Sequence, residues 1–462
     1  MTDPVTIGAL PGDPYLAVDV QPDQVDGQFV VDASEVGGYD LLGWADGASS
    51  WVNVACDVTG LRYRRGVSRQ LGVLTRAEAG EATVTLLDTQ RRFDPTVNED
   101  AIRTNTPLRI RAWGYTDLGV RWDAVLFTGK VRKVSMQYPR VGPPVATVLG
   151  SDLIADLARW TGPGRAEPGI GAGDTLLARA QRALTEMGWT PADWLSTDRD
   201  TYYAATLAPN TLKNPWTVIN DATDAELGRV WVDKANRLVL RSRESLLTGP
   251  VRGTFSDLHG ESVNGAPHCC YYDPVVVLDP ETLTNNAIGA RRIPNDGSNP
   301  LPESALVQAA DTYSQARYGV WTTDERSLEL QTDGQLAPWA QSLIITDGRP
   351  ELRVDSVRPT PWNPNDLTTT LRAWPAVLAT DIGDRWIVRS RPEEGPMLDL
   401  AVGVLGVDLT VTAGEPWDLS WTTTHAPYPG ADNPTGWIVV GLSDVDGPDV
   451  LAPFGGSPGG IT

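Results

Sequence analysis

The chain has 462 residues, a formal net charge of −21 and 41% hydrophobic residues, with 45 Gly and 36 Pro. This length predicts about two to four domains, and the hydrophobic content excludes a wholly disordered chain. So acidic a chain is not expected to hold nucleic acid tightly, because phosphate binding needs a basic surface. Three Cys, two of them adjacent, fit a reducing cytoplasm better than a disulfide framework.

Residues 51–150 are predicted to form strand after strand. Within 82–87, and again within 108–113, side chains alternate between the two faces of a strand, as a half-buried sheet requires. The first of these runs is led by Gly80 and ends in a polar turn that contains Phe93, Asp94 and Pro95. The pattern predicts a small antiparallel barrel or sandwich.

Helical signals then follow the strands. Ser151 and Asp174 are predicted to cap two helices, and Asn214 before Pro215 is predicted to cap a third. Two apolar runs around 233–236 predict a hairpin. Two further helices are predicted, at 304–318 and 336–343.

After residue 347 the pattern returns to strands, in the order ELRVDSVRP, TTTLRAWP, DRWIVRS, AVGVLGVDLTVT and DLSWTTT. The predicted fold class is therefore mainly β with an α+β insertion, in which two small β-barrel domains flank a mixed middle region. The predicted divisions are an acidic N-terminal arm at 1–50, a first barrel at 51–150, the α+β insertion at 151–340, a second barrel at 341–425, and an acidic Gly/Pro-rich docking tail at 426–462.

Charge is unevenly distributed along the chain. Residues 1–60 and 392–462 each carry ten acidic residues and no Lys or Arg, whereas 61–140 carry fifteen basic and eight acidic residues. We expect the basic segment to meet acidic segments within or between subunits, with interface residues Arg62, Arg64 and Arg65. The alternative is that the acidic ends are simply solvated.

One motif occurs twice. FVVDASEVGGYDLL at 29–42 and IVVGLSDVDGPDVL at 438–451 match at seven of fourteen positions. Each copy is too short to fold alone. The hypothesis is that both are docking strands for sheet edges, with the apolar contacts of the second copy made by Val439, Val440, Val445 and Leu451; chance similarity is the alternative.

Motifs for catalysis, cofactors or metals are weak, so no such site and no enzyme activity are predicted. In GGSPG, around Ser457, the next residue is a proline without the N–H that an oxyanion hole needs. The loop GIGAGD at 169–174 lacks the Lys-Ser/Thr of a phosphate loop. His259, His268 and the pair at 269–270 lack zinc-ligand spacing.

Two other function classes stay open. Seventeen Trp against five Phe could serve a cell-wall carbohydrate-binding module. The tryptophans within predicted strand patterns are Trp113, Trp231, Trp374, Trp386 and Trp421. Packing is the commoner use of such residues. A cell-wall hydrolase with paired carboxylates, such as Glu393 and Glu394, is a further alternative.

A family resemblance rests on motifs in order. The segment GVSRQLGVLTRAEAGEATVTLLDTQRRFDP, followed by TPLRIRAW and LFTGKVRKV, resembles the first domain of tail-tip hub proteins of long-tailed, siphovirus-type phages of actinobacteria. These minor tail proteins are related to the baseplate hubs of contractile tails. Later segments, from NPWTVINDATDAELGRVWVDKANRLVL to WDLSWTTT, follow the same family order, so the resemblance covers most of 28–425.

The resemblance implies a structural virion protein. Three copies would form a ring in which the two barrel domains alternate, and a rigid strand ending at Phe93, Asp94 and Pro95 would present a fixed edge to the next copy. The implied partners are the distal tail ring protein, the tape-measure protein and other minor tail or receptor-binding proteins. DNA would pass through without specific binding. The implied location is the virion tail tip, after assembly in the host bacterial cytoplasm. No membrane segment is expected, because no apolar run approaches about 20 residues.

Overall fold

The computed structural model describes the residues that follow. They are 10, 13–21, 51–67, 76–97, 102–160, 171–208, 214–243, 251–258, 267–277, 282–291, 306–348, 353–362, 366–391 and 397–426. The second copy of the repeated motif lies outside these ranges, and so does the first.

The strands of the described chain are β1 (Tyr15–Val20), β2 (Val52–Asn53), β3 (Val58–Gly66), β4 (Glu78–Leu87), β5 (Pro107–Tyr115), β6 (Arg121–Gln137), β7 (Val145–Ser151), β8 (Arg229–Val232), β9 (Leu238–Arg241), β10 (Val251–Ser256), β11 (His268–Val277), β12 (Asn286–Arg291), β13 (Val307–Ala310), β14 (Thr322–Leu328), β15 (Arg353–Thr360), β16 (Arg385–Ser390), β17 (Leu398–Thr412) and β18 (Asp418–His425). The helices are α1 (Leu153–Arg159), α2 (Leu176–Glu186), α3 (Pro191–Trp194), α4 (Pro215–Glu226), α5 (Thr312–Tyr318), α6 (Leu336–Asp347) and α7 (Leu367–Ala379).

The first β module consists of β1 to β7, in the sheet order β3-β4-β7-β6-β5-β1-β2. Its strands are antiparallel throughout, as short chain connections allow. The predicted alternation holds, because Ala82, Val84 and Leu86 all point into the core. A long strand, β6, pairs first with β5 and then with β7, so it crosses the whole module.

A closed six-stranded barrel forms the other β unit. Its strand order is β16-β10-β11-β15-β18-β17, and a pairing between β16 and β17 closes the ring. Strands β10 and β11 come from before residue 341 and pair with strands from after it. The expected fold class, mainly β with barrel domains, is confirmed.

The two β units are joined into one 13-stranded sheet by the pairing of β3 with β17. Gly66 and Gly406 lie opposite each other at the end of this pairing. Gly66 has a φ of +85°, and a Cβ there would lie 2.2 Å from the Leu405 carbonyl oxygen. A Cβ at Gly406 would lie 2.1 Å from the Val67 carbonyl oxygen, so only glycine allows this close approach. One hydrophobic core cluster consequently contains residues of both units.

The middle module comprises α1 to α6, the β8–β9 hairpin and the three-stranded sheet β13-β12-β14. It has its own hydrophobic core, which includes Leu157, Leu184, Ile219 and Trp339. The hairpin predicted around 233–236 is present as β8 and β9. As predicted, α4 begins at Pro215, and the side-chain oxygen of Asn214 accepts the backbone N–H of Thr217.

Three predictions about helices are wrong. The caps of α1 and α2 are Asp152 and Thr175, each one residue after the predicted Ser151 and Asp174. Ser151 instead ends β7. The predicted helix at 304–318 is β13 followed by α5, because 307–310 pair with β12 before Asp311 caps the helix.

The segment TTTLRAWP is helical, which corrects the predicted strand. The Asp366 carboxylate accepts the N–H groups of Thr368 at 2.9 Å and Thr369 at 3.3 Å and so begins α7. The buried positions of α7, which include Thr370 and Trp374, recur at helical spacing, and α7 packs against β6 and β11. Burial of this face outweighs the cost of a proline inside the helix, Pro375.

Candidate assembly interface

The turn after β4 is held by hydrogen bonds from its own backbone N–H groups to two carboxylates. The Asp88 carboxylate accepts the N–H groups of Arg92 at 2.6 Å and Phe93 at 3.2 Å. The Asp94 carboxylate accepts two hydrogen bonds from Thr96, one from the backbone N–H at 2.9 Å and one from the side-chain hydroxyl at 2.6 Å. These bonds lower the pKa of Asp94. The turn therefore holds its shape without a partner chain.

The turn and its strand do not present what was expected. Phe93 and Asp94 are buried, with Phe93 in the core of the first β module, whereas Pro95 is exposed. Strand β4 pairs with β3 on one side and with β7 on the other. This strand has no open backbone edge, so any contact with a neighbour at this place would use the turn surface around Pro95.

Two of the three predicted arginines lie at the surface of β3. The Arg62 guanidinium donates to the Asp408 carboxylate at 2.7 Å, and its side chain is 64% exposed. Arg64 lies 3.1 Å from the carboxylate of Glu78. Both pairs are intramolecular and solvent-exposed, so each contributes little to stability. These arginines remain accessible to a second chain.

Arg65 lies in the interior. Its side chain is 2% exposed, and Nη2 donates to the Val232 carbonyl at 2.6 Å and to the Asp381 carboxylate at 2.9 Å. The guanidinium thus connects β3 with the β8–β9 hairpin and with the turn before β16. A neighbouring copy could not reach it while these contacts last. Val439, Val440, Val445 and Leu451 lie outside the described residues.

The tryptophans suggested as a sugar platform are mostly unavailable. Trp231, Trp374, Trp386 and Trp421 are buried, and Trp374 belongs to α7 rather than to a strand. The half-buried ring of Trp113 is engaged by Tyr15, with ring centroids 4.2 Å apart, and by Arg121, whose guanidinium carbon lies 4.6 Å from the centroid. These residues serve packing, as the alternative interpretation proposed.

The weak chemical motifs acquire structural explanations where they are described. In the loop before α2, the Asp174 carboxylate accepts from Arg179 and from Arg182, both at 3.0 Å, so the cations are paired inside the chain. His268 and Cys269 are buried in β11. Among the described ranges, no group of three or more His, Cys, Asp or Glu is placed to hold a metal ion. Ser457, His259, Glu393 and Glu394 lie outside those ranges.

The structure shows an exposed aromatic cluster that the sequence analysis missed. We call Tyr313, Tyr318, Val320 and Trp321 the α5 cluster, and all four are exposed. Beneath it lies the fully buried Asn285. Its side-chain amide donates to the Gly319 carbonyl at 2.7 Å and accepts the backbone N–H of Trp321 at 2.8 Å. In the sequence, the one feature that indicates this cluster is that four large apolar residues lie close together around Gly319 in an otherwise polar segment.

Rigid Tyr and Trp side chains at a surface are typical of binding sites, because little conformational entropy is lost when they are covered. The guanidinium carbon of Arg317 lies 5.4 Å from the centroid of the Tyr318 ring, adding a cation to the cluster. A second exposed apolar region is the β5–β6 tip, where Leu118 is 80% exposed. The adjacent Asp117 accepts from Arg372 of α7 at 2.6 Å, which holds that tip in place.

The fold is similar to that of several proteins of known structure. The tail protein from Neisseria meningitidis MC58 aligns with a TM-score of 0.52 and 10% identity over 89% of this chain and 99% of that chain. The 43 kDa tail protein of prophage MuSo2 from Shewanella oneidensis aligns with a TM-score of 0.49 and 12% identity, over 89% and 98% of the two chains. A type VI secretion component of Escherichia coli aligns with a TM-score of 0.42 and 10% identity, over 81% and 74%.

At such low identity these likenesses concern the fold alone, and of the three only the Neisseria protein exceeds a TM-score of 0.5. No protein-family model matches the sequence, and no curated protein matches it significantly. Within the described ranges, none of the helices combines the length and the hydropathy that a membrane crossing requires. The likeness to the Neisseria protein shows that the chain shares the fold of a tail protein, with the arrangement of β units described above.

Proposed function

We propose that this chain is a structural component of a phage tail, and more specifically the tail-tip hub of a siphovirus-type phage of actinobacteria. The observation that carries the proposal is the fusion of a first β module and a closed barrel into one sheet, in the fold of the Neisseria tail protein. The motif order quoted above supports the narrower assignment. No enzyme activity or cofactor is part of the proposal.

In this role, copies of the chain form a closed ring, with three copies as the family resemblance implies. A ring covers on each copy the surfaces that would be hazards on a monomer. The candidate surfaces are the turn at Pro95, the exposed Arg62 and Arg64, and the β5–β6 tip. The repeated motif, through Val439, Val440, Val445 and Leu451, supplies docking strands to a neighbouring ring.

The hub joins the distal tail ring protein to receptor-binding and other tip proteins, and its ring lines or gates the channel used by DNA and the tape-measure protein. The net charge of −21 supports passage of DNA without tight binding. Gold-labelled antibodies against this chain, applied to intact virions, test the location. Label at the tail tip is expected, and label along the tube or on the capsid would contradict the assignment.

A second candidate function is binding of cell-wall carbohydrate, and the α5 cluster is the observation that favours it. Exposed Tyr and Trp rings can stack on the apolar faces of sugar rings. Titration with chitohexaose, followed by tryptophan fluorescence, tests this function. Saturable quenching that is lost in Trp321→Ala would favour carbohydrate binding. No quenching at millimolar sugar would rule this function out and leave the hub as the only proposed function.

A further inference from the structure

The middle module meets the β units at a junction formed by the β8–β9 hairpin and by α1, which packs against β4 and pairs its Asp156 with Arg132 of β6. The apolar part of this junction is a cluster of Trp231, Val239 and Ile382, separate from the two large cores. The turn at Gly383 packs closely on it, since a Cβ at that residue would lie 2.9 Å from the Trp231 ring. The middle module has its own core, to which the first β module contributes the half-buried Ala77 and Ala79, so a pivot would disturb these two contacts and leave the rest of that core in place.

The polar part of the junction is shielded from water to an extent that is unusual for charged groups, since Arg65 and Asp152 are buried and Lys234 and Asp381 are half-buried. Arg65 of the first β module reaches both other bodies through the two bonds described above, to Val232 and to Asp381. Its second terminal nitrogen, Nη1, finds no hydrogen-bond partner among the described residues. The cation is thus shared between the middle module and the barrel, and its bonding is incomplete.

A second cation enters the junction from the hairpin turn. Lys234 Nζ donates to the Leu378 carbonyl at 2.5 Å, near the C-terminus of α7. Its backbone N–H donates to the Asp381 carboxylate at 3.4 Å. Burial lowers the pKa of Lys234 to about 8, opposed by the nearby carboxylates of Asp381 and Asp384 and assisted by Arg65 and Arg252.

A buried carboxylate lies on the first-module side. Asp152 accepts the N–H groups of Gly80 at 2.8 Å and Ile154 at 3.0 Å, so it connects β4 with the start of α1. Burial raises its pKa to about 7, while these bonds and the charge of Arg65 act in the opposite direction. The next residue, Leu153, donates its N–H to the side-chain oxygen of Asn236 in the hairpin turn at 2.7 Å.

We propose that Arg65, Asp152, Lys234 and Asp381 form a junction latch that holds the middle module against the β units, and that opening the latch lets the module pivot about the Trp231–Ile382 contact. Buried charges of this kind add little net stability but fix one geometry, so they suit a contact that must be specific and reversible. An apolar junction of the same size would be harder to open, because opening it would expose apolar surface to water.

The latch has a defined dependence on pH. Asp152, whose ordinary pKa is 3.8, contributes stability that is fully present below pH 3.8 and is lost as the pH rises to about 7. Lys234, whose ordinary pKa is 10.5, contributes stability that is present above that value and is lost as the pH falls through about 8. Both contributions are absent between about pH 7 and 8, and because opening the latch returns Asp152 and Lys234 to water, the latch is weakest near neutrality.

The pivot is measured as a distance between spin labels on the middle module and the first β module. Tyr202 and Leu118 are exposed positions for the two labels, in a chain whose Cys56 and Cys270 are replaced by Ser. We expect one narrow distance distribution in the parent chain at pH 5.5. A second, displaced population is expected to grow at pH 7.5 and to dominate in Arg65→Met at both pH values.

The matched control is Arg76→Met, since Arg76, whose side chain is 49% exposed, forms an ion pair with the half-buried Asp224 across the same pair of modules but outside the latch. This variant should keep the narrow distribution. If Arg65→Met does not fold, Asp381→Asn decides, because it preserves shape and removes the charge opposite Arg65. A parent-like single distribution in a folded Arg65→Met or Asp381→Asn variant would overturn the proposal, and so would an equal displacement in Arg76→Met.

Discussion

Replacement of Trp386 tests how much the packed interior of the closed barrel contributes to the free energy of unfolding. Trp386 is fully buried, and its ring stacks on Phe255 with centroids 4.5 Å apart. The ring of Trp421 meets it edge-on at 5.2 Å. Its indole N–H donates to the Thr380 hydroxyl at 3.0 Å, so Trp386→Ala removes a packed ring and a hydrogen bond together.

The expected cost follows from these contacts. Truncation of a buried Trp to Ala costs about 3–5 kcal/mol, and the two lost ring pairs are worth about 0.5–1.5 kcal/mol each beyond burial. Part of the second contribution is already contained in the first, so we expect a loss of about 4–6 kcal/mol. That is comparable to the whole free energy of unfolding of many domains, about 5–15 kcal/mol.

Urea unfolding followed by far-UV circular dichroism measures the change. Trp321→Ala is the matched control, because it removes the same side chain from an exposed position and should cost less than about 1 kcal/mol. A loss below about 1 kcal/mol in Trp386→Ala, or equal losses in the two variants, would show that the barrel interior is not packed as described.

Four further results are expected. Gly253→Ala should destabilise the chain by about 1–3 kcal/mol in the same urea assay, since the new Cβ would lie 2.2 Å from the Trp386 ring; unchanged stability would contradict this close approach. Asp152→Asn should flatten the fall in stability between pH 4 and about 7, a slope of at most about 1.4 kcal/mol per pH unit, and an unchanged slope in urea titrations across that range would assign the titration to another group. Asn285→Ala should raise amide hydrogen exchange in 311–322 while exchange in the barrel stays at its parent value; full protection of that segment would mean that Asn285 does not hold the α5 cluster. Deletion of 430–462 should weaken docking to a neighbouring ring without unfolding the chain, and unchanged assembly in sedimentation would remove the docking hypothesis.

Local chemistry explains what the sequence predicted well. A cap followed by proline defines the start of α4 at Asn214 and Pro215 wherever that segment packs. Likewise, strict alternation through 82–87 fixes which side of β4 faces the core. The order of β, mixed and β segments then predicts the fold class, because each segment must bury its apolar face in one of a few ways.

Contacts between distant segments explain what the sequence missed. Arg65 is an ordinary charged residue within a basic strand, and its burial depends on Asp381, 316 residues further along the chain. The TTTLRAWP segment alternates like a strand and contains a proline, yet packing against β6 and β11 makes it a helix. The closure of the barrel by β10 and β11 has the same character, since their partners follow much later in the chain.

The native mass of the purified full-length chain, measured at low salt and paired with negative-stain images, tests the central claim most directly. A hub whose surfaces are covered by copies of itself predicts a discrete oligomer, three times the monomer mass, that images as a ring. A chain that remains monomeric at micromolar concentration, both alone and when mixed with the distal tail ring protein, would contradict the account.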